Sequence, residues 1–202
     1  MLIERFGVNP SHIFSCPTSE ELLASCSEPA AFPRIVVLDL IMPGDLKRAA
    51  LVRAVTRADQ AVRVLVYTAE ESAFLARAVM EAGATGYVAK TSPVTELMDA
   101  LAALSVGKRH IDRRIDLDSI DSHPWLTLTG SERAVLLAFC RGFKATDIVA
   151  TTGRSYSTVT THKYNGLNKL GLKDGSDLLP YIYKNGLLNE LDADPVHSDN
   201  LG

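Results

Sequence analysis

The chain has 202 residues, 47% of them hydrophobic and 22% charged, with a formal net charge of −3. That composition suits one or two globular domains and excludes fibrous and wholly disordered classes. No apolar run approaches the roughly 20 residues of a membrane span, and MLIERFGVNP lacks a signal-peptide layout, so a cytoplasmic protein with no membrane contact is expected.

The charge is unevenly spread. Residues 1–107 carry nine Lys and Arg against twelve Asp and Glu, whereas residues 124–185 carry eight against four. An acidic first half and a basic second half suggest a regulatory unit joined to one that meets nucleic acid. Cys16, Cys26 and Cys140 are odd in number and lack CxxC spacing, so core packing is expected rather than a disulfide framework or a zinc site.

In chain order, TSEELLASC predicts a helix capped by Thr18, with Glu21 three residues on as a capping box. RIVVLDL (34–40) and VRVLVYT (62–68) predict buried strands, and MPGD after the first predicts a turn on Pro43 and Gly44. ESAFLARAVMEAG predicts a helix stopping at Gly83, and GYVAK a third strand. SPVTELMDALAALSVG predicts a helix with Ser92 as N-cap and Pro93 at its first position, Val94, Leu97, Met98, Leu101 and Leu104 forming one apolar face. KRHIDRRIDLDSIDSH (108–123), densely charged with both signs, reads as a linker. Strands then vanish: TGSERAVLLAFCRGF, KATDIVATTG, SYSTVTTHKYNGLNKLG and SDLLPYIYKNG are helix-sized units, and the tail 188–202 reads as disordered.

Strands alternating with helices imply a parallel sheet, where chemistry gathers at the carboxyl ends of strands. Three strands end on such residues: Asp39, Thr68 and Lys90. An isolated carboxylate is costly in apolar surroundings, so an acid closing an apolar run belongs at a wet strand end or has a task there. A carboxylate, a hydroxyl and an ammonium suit an aspartyl phosphate, with the acid as nucleophile and the other two on the phosphoryl oxygens. Taken singly, Thr68 could be ordinary strand filling.

LDLIMPG, VYTAEES and GATGYVAKTSP resemble, in order and spacing, the receiver domain of bacterial response regulators. The resemblance implies that Asp39 is the phosphoacceptor, Thr68 the switch hydroxyl, Lys90 the phosphate-binding lysine and Tyr87 the aromatic that turns inward on activation. It also implies that LIERFG ends the family's first helix and HIFSC is its second strand. The first strand, with the acidic pair that holds Mg²⁺, would then precede Met1. Mg²⁺ is therefore expected only if that pair lies upstream, no other cofactor is required, and phosphorylation of Asp39 is expected to be weak or lost. A sheet lacking that strand would expose an edge that invites pairing with another chain.

Residues 126–172 resemble the LuxR-type helix-turn-helix of the NarL/FixJ family through Leu128, Thr129, Glu132, Val135, Leu136, Gly142, Ile148, Ser155, Thr158, Val159, His162, Lys169, Leu170 and Gly171. MPGD, GRSYSTVTTHK, KLGL and LLPYI resemble its RcsB branch. Thr129 and Glu132 form a T-x-x-E capping box, and Ser155 caps the following recognition helix. Rotation at 3.6 residues per turn sends Val159, His162, Gly166 and Leu170 inward, and Thr160, Thr161, Tyr164, Asn165 and Asn168 outward toward a major groove. Ser157 and Thr158 open that helix, and Lys144, Lys163 and Lys169 are the expected phosphate contacts. The family likeness makes the last helix, with Leu178, Leu179, Tyr181 and Ile182, the dimer contact on DNA.

The expected fold is a flavodoxin-like doubly wound α/β receiver, N-terminally incomplete, over 1–107, a linker over 108–123, and an all-α four-helix LuxR-type helix-turn-helix domain over 124–187. The expected protein is a DNA-binding transcriptional regulator rather than an enzyme, acting on double-stranded DNA as a homodimer or with another regulator, with a sensor histidine kinase as phosphate donor. A phosphorylation-independent regulator whose first half is an interaction module is the alternative. An aspartyl phosphatase is disfavoured because Ile41 stands where such enzymes carry a second Asp, and an acyl-homoserine-lactone sensor would leave the Asp39, Thr68 and Lys90 pattern unexplained.

Overall fold

A computed structural model of the chain describes residues 7–28 and 34–192. It divides into two compact units, one built mainly from residues up to Ile115 and the other from Asp116 onward.

The first unit runs α1 (Ser19–Ser27), β1 (Ile35–Leu38), α2 (Arg48–Ala58), β2 (Arg63–Thr68), α3 (Ala73–Glu81), β3 (Gly86–Ala89), α4 (Val94–Ser105) and β4 (His110–Ile111). All four strands are parallel in the order β1-β2-β3-β4, so each connection is a crossover through a helix. The core is dominated by β2, β3 and the helices on them: Val64, Leu65, Val66, Val88, Leu51, Val55, Leu75 and Leu104 are fully buried. Thr18 caps α1 by accepting the Glu21 N–H at 3.3 Å, but the expected capping box is only half formed, since the Glu21 carboxylate accepts from the Thr18 hydroxyl at 3.4 Å rather than from its N–H.

Four other expectations for this unit change. HIFSC is not a strand: only a short 3₁₀ turn, Pro10–His12, forms beside it, and Ile13 and Phe14 are exposed, because an apolar run without a ladder partner has nowhere to place its backbone hydrogen bonds. RIVVLDL is only partly buried, since Ile35 and Val37 are exposed while Leu38 and Leu40 are covered. The segment read as a linker contributes β4, whose His110 N–H and Asp112 N–H donate to the Thr85 and Tyr87 carbonyls. β3 is buried along its whole length, so its outer backbone groups need that partner. Further along the same segment, within the second unit, Ile120 is buried in a short 3₁₀ turn. Finally, α4 starts one residue later than predicted, with Pro93 as N-cap, and Ser92 caps nothing.

The second unit comprises α5 (Gly130–Cys140), α6 (Ala145–Thr152), α7 (Tyr156–Lys169), α8 (Leu178–Lys184) and α9 (Leu188–Asp192). Trp125, Leu128, Leu136, Leu137, Leu167, Leu170, Leu178, Ile182 and Leu187 form its main core, and Val135, Ile148 and Val159 a second cluster. The Thr129–Glu132 capping box is complete: the Thr129 hydroxyl accepts the Glu132 N–H at 3.2 Å and the Glu132 carboxylate accepts the Thr129 N–H at 2.8 Å. Between α6 and α7, Gly153 adopts φ 67°, a left-handed C-cap that reverses the chain in a short turn. The tail expected to be disordered over 188–202 begins instead as helix α9, because Leu188 and Leu191 pack on the main core. The rest of that tail, beyond Asp192, and the expected helix end over 2–7, apart from Gly7, lie outside the described residues.

Candidate functional site

The sheet register builds the first site. Leu38 pairs with Val66 and Thr68 with Ala89, so the residues that follow, Asp39 and Lys90, emerge beside Thr68 at the carboxyl ends of three adjacent strands. Lys90 Nζ donates to Asp39 Oδ2 at 2.6 Å, and Asp39 Oδ1 accepts the Ile41 N–H at 3.2 Å. Both side chains remain about two-fifths exposed, 40% for Lys90 and 38% for Asp39, so the acid sits at a wet strand end. Partial burial pushes the Asp39 carboxyl up, but hydrogen bonds from Lys90, the Ile41 N–H and Thr68, with the Lys90 charge, hold it below the usual carboxylate range. Thr68 and Tyr87 are fully buried, and the Tyr87 hydroxyl points inward to donate to the Glu70 carbonyl at 2.5 Å.

The turn after Asp39 is fixed from α1. Pro43 C=O accepts the Ser19 N–H at 2.9 Å, and the Glu20 carboxylate accepts the Asp45 N–H at 2.8 Å, a bond that with the Ser19 hydroxyl lowers the Glu20 carboxyl to about 2. Gly44 has φ 130° and lies so close to α1 that a Cβ would fall 1.9 Å from Ser19 Oγ, so only glycine fits the turn.

Sequence reasoning missed a further tier. Arg48 lies in the left-handed region at φ 48° and pairs with Glu70 at 3.1 Å, beside the carbonyl that Tyr87 holds. Asp112, just past β4, is 1% exposed and gathers three donors. The signal was present: β4 is a fourth strand closing on an acid, hidden because its two residues sit among charges.

In the second unit, α7 buries Val159, Gly166, Leu167 and Leu170, half-buries His162, and exposes Ser157, Thr158, Thr161, Tyr164, Asn165 and Asn168. The face expected to point outward therefore does so, except at Thr160, which is half-buried and donates back to the Tyr156 and Ser157 carbonyls at 3.0 and 2.9 Å. Ser155 accepts the Thr158 N–H at 3.1 Å and its hydroxyl also meets those of Ser157 and Thr158, so the start of α7 is capped in a hydroxyl cluster. Lys144 is exposed, while Lys163 lies over the Phe139 ring at 4.4 Å. Lys169 is committed inward, donating to the Glu132 carboxylate at 2.7 Å and the Thr127 carbonyl at 3.2 Å. The four residues expected at a dimer contact divide by helical period: Leu178 and Ile182, four apart, are buried in the core, which rules them out as surface contacts. Leu179 at 40% exposure and half-buried Tyr181 remain, joined by Tyr183 at 63%.

Comparison with known proteins agrees with this architecture. Residues 4–102 match the response regulator receiver domain. The chain is 30% identical over 157 residues, 78% of its length and 72% of the other's, to the probable transcriptional regulatory protein SgaR of Hyphomicrobium methylovorum. This chain belongs to the response-regulator family. It is a member of a family of transcription regulators, not of enzymes. The response regulator is also 29% identical over 73% of its length to the transcriptional regulatory protein RcsB of Escherichia coli, of which 71% is covered. It superposes with a TM-score of 0.59, at 28% identity and 82% coverage of both chains, on RcsB from Salmonella enterica serovar Typhimurium bound to promoter P1flhDC in the presence of phosphomimetic BeF3−. A second RcsB–DNA complex gives 0.56 at 29% identity, covering 82% of the regulator and 81% of that chain. The parallel α/β receiver followed by a helical region is thus the fold of this regulator. No helix among the described residues is long and apolar enough to cross a membrane.

Receiver domains typically use Mg²⁺. Among the described residues no group of three or more His, Cys, Asp or Glu side chains is placed to hold a metal. Asp39 has one oxygen on Lys90 and the other on the Ile41 N–H. Each oxygen keeps a further lone pair, so Asp39 can offer a hard cation one carboxylate ligand, but the described residues gather no wider set of acidic ligands around it.

Proposed function

We propose that the regulator binds promoter DNA as a dimer through the second unit, with α7 in the major groove, and that phosphorylation at Asp39 is weak or lost in this chain. The observation that carries the DNA reading is the polar, exposed face of α7, with Thr161 and Tyr164 (62% exposed) standing out from a helix anchored by Val159, Gly166 and Leu167. Thr161 and Tyr164 are the base readers, through hydrogen bonds and methyl contacts, and Lys144 and Lys163 meet phosphates, with Ser157 and Thr158 at the helix start. Leu179, Tyr181 and Tyr183 supply the dimer contact. RcsB bound to promoter DNA, and a structure of two RcsB dimers on two parallel DNAs (TM-score 0.57, 28% identity), support the reading. Weak phosphorylation is supported by the finding that, among the described residues, no group of three or more His, Cys, Asp or Glu side chains is placed to hold the metal that phosphoryl transfer needs.

A gel shift on promoter fragments with non-specific competitor tests the first part: a discrete complex is expected, and binding that does not discriminate between fragments refutes it. Incubation with acetyl phosphate and Mg²⁺ followed by intact mass tests the second, and stoichiometric phosphate on Asp39 refutes it. Exposed Ile35 and Val37 on β1 favour a second reading, in which the first unit recruits another regulator without phosphate. Asp39→Ala would then leave partner and DNA binding unchanged.

A further inference from the structure

Lys90 sits on a short loop between β3 and α4, yet its ammonium must be held opposite Asp39 for the pair to form. The backbone supplies one restraint, the Lys90 N–H donating to the Thr68 carbonyl at 2.7 Å. The rest comes from outside the loop. Asp112 Oδ2 accepts the Ala89 N–H at 3.0 Å and the Ser92 hydroxyl at 2.5 Å, so one oxygen grips the residue before Lys90 and the residue two after it. The other oxygen accepts the Arg114 N–H at 3.0 Å. Ala89 is fully buried and Asp112 1% exposed, so these bonds are made away from water, and losing the carboxylate would strand a buried donor.

Further contacts tighten the same loop. The Arg114 guanidinium donates to Thr91 Oγ1 at 3.1 Å and to Glu71 at 3.4 Å, and the Thr91 hydroxyl also donates to Glu71. Every residue from Ala89 to Ser92 is therefore restrained: Lys90 by the neighbouring strand and by Asp39, the other three from the segment after β4. This explains why Ser92, although placed like an N-cap, does not cap α4: its hydroxyl is spent on Asp112. Burial alone would push the Asp112 carboxyl up, but the bonds from Ser92, the Arg114 N–H and the Ala89 N–H outweigh it and hold the group ionised.

We infer that Asp112 is a positioning residue of the Asp39 site: it clamps the loop at Ala89 and Ser92 so that the Lys90 ammonium is presented to Asp39. The inference rests on the reading of Asp39, Thr68 and Lys90 as one phosphoryl-type site, and it adds a residue that touches neither Asp39 nor Lys90.

The test is trace labelling of the full chain with acetic anhydride, read by mass spectrometry as the rate at Lys90 relative to the exposed lysines Lys47 and Lys108. Asp39→Ala should raise the Lys90 rate roughly threefold, the scale of a part-solvated ion pair. Asp112→Ala should raise it by a similar factor with Lys47 and Lys108 unchanged, and Asp112→Asn, which keeps an oxygen for both donors, should stay within about twofold of the parent. Ser92→Ala removes one arm of the clamp and should also speed Lys90, which keeps the test alive if Asp112→Ala fails to fold. A parental Lys90 rate in Asp112→Ala or Ser92→Ala overturns the clamp, and so does an equal rise at all three lysines, which would mark general loosening. If Asp39→Ala leaves Lys90 unchanged, the Asp39–Lys90 pair itself is absent and the clamp falls together with the site reading.

Discussion

Gly166→Ala probes the close crossing of α7 over α5 in the DNA-binding unit. A Cβ at that position would stand 2.8 Å from Leu136 Cδ1, 3.1 Å from Leu136 Cγ and 3.6 Å from Glu132 Cβ. Two effects oppose each other. Alanine is the better helix former by about 1 kcal/mol, whereas forcing an extra methyl into a packed interior costs about 1 to 3 kcal/mol. The Cδ1 methyl can swing, but Cγ is tied to the α5 backbone and Leu136 is fully buried, so the clash is not cheaply relieved. The net expectation is a loss of about 1 kcal/mol. Trp125 is the single tryptophan and lies in this core, 1% exposed, so its fluorescence reports the second unit alone. At a urea slope near 1.5 kcal/mol/M the midpoint should fall by about 0.7 M with the slope unchanged. Leu136→Val on top of Gly166→Ala should recover part of the loss, a positive coupling between touching sites. A midpoint equal to or above the parent's would refute the reasoning, because it would mean that α7 and α5 have room for a side chain.

Other perturbations separate roles that the residue types alone confuse. Glu132 is held below the usual carboxylate range: burial raises it, but Lys169 and the Thr129 hydrogen bonds outweigh that. A depressed folded value means its contribution is fully present above about pH 4.5 and is lost as pH falls through the lower folded value. Glu132→Gln should therefore cost about 1 to 2 kcal/mol at pH 7, discounted because Lys169 is 37% exposed, and should flatten the acid limb of the Trp125-monitored stability curve; an unchanged limb would assign that slope to other carboxylates. Leu178→Ala should destabilise by about 2 to 4 kcal/mol in the same urea assay, whereas Leu179→Ala should leave stability within about 0.5 kcal/mol and weaken dimerisation in sedimentation. Lys144→Ala should weaken binding to all DNA sequences alike and reduce the salt slope by about one. Thr161→Ala should relax base preference while Thr160→Ala should not, in a competition binding assay.

Local chemistry was legible wherever a feature closes on its own neighbours. The Thr18 and Ser155 caps, the Thr129–Glu132 box and the inward face of α7 follow from spacings of three and four residues that the chain cannot escape once it is helical. Apolar runs ending on Asp39, Thr68 and Lys90 pointed to one site because parallel strands bring their carboxyl ends to one edge. Features that depend on a partner distant in sequence were not legible. HIFSC has strand composition but no ladder, and His110–Ile111 has little strand composition but is recruited by the buried edge of β3. Leu178 and Ile182 look like any exposed apolar pair on a short helix until Trp125 and Leu136 close over them.

The sequence by itself determined the two-part organisation, the identity of the strand-end residues and the capping of the helices, because these follow from periodicity and from hydrogen bonds within a few residues. Tertiary structure decided which polar groups are already engaged. It turned Lys169 inward to Glu132, Thr160 back on its own helix, and Ser92 from a cap into a ligand of Asp112. A donor's reach is fixed by its chemistry, but its partner is fixed by packing, since a buried polar group takes whichever acceptor the fold brings within about 3 Å.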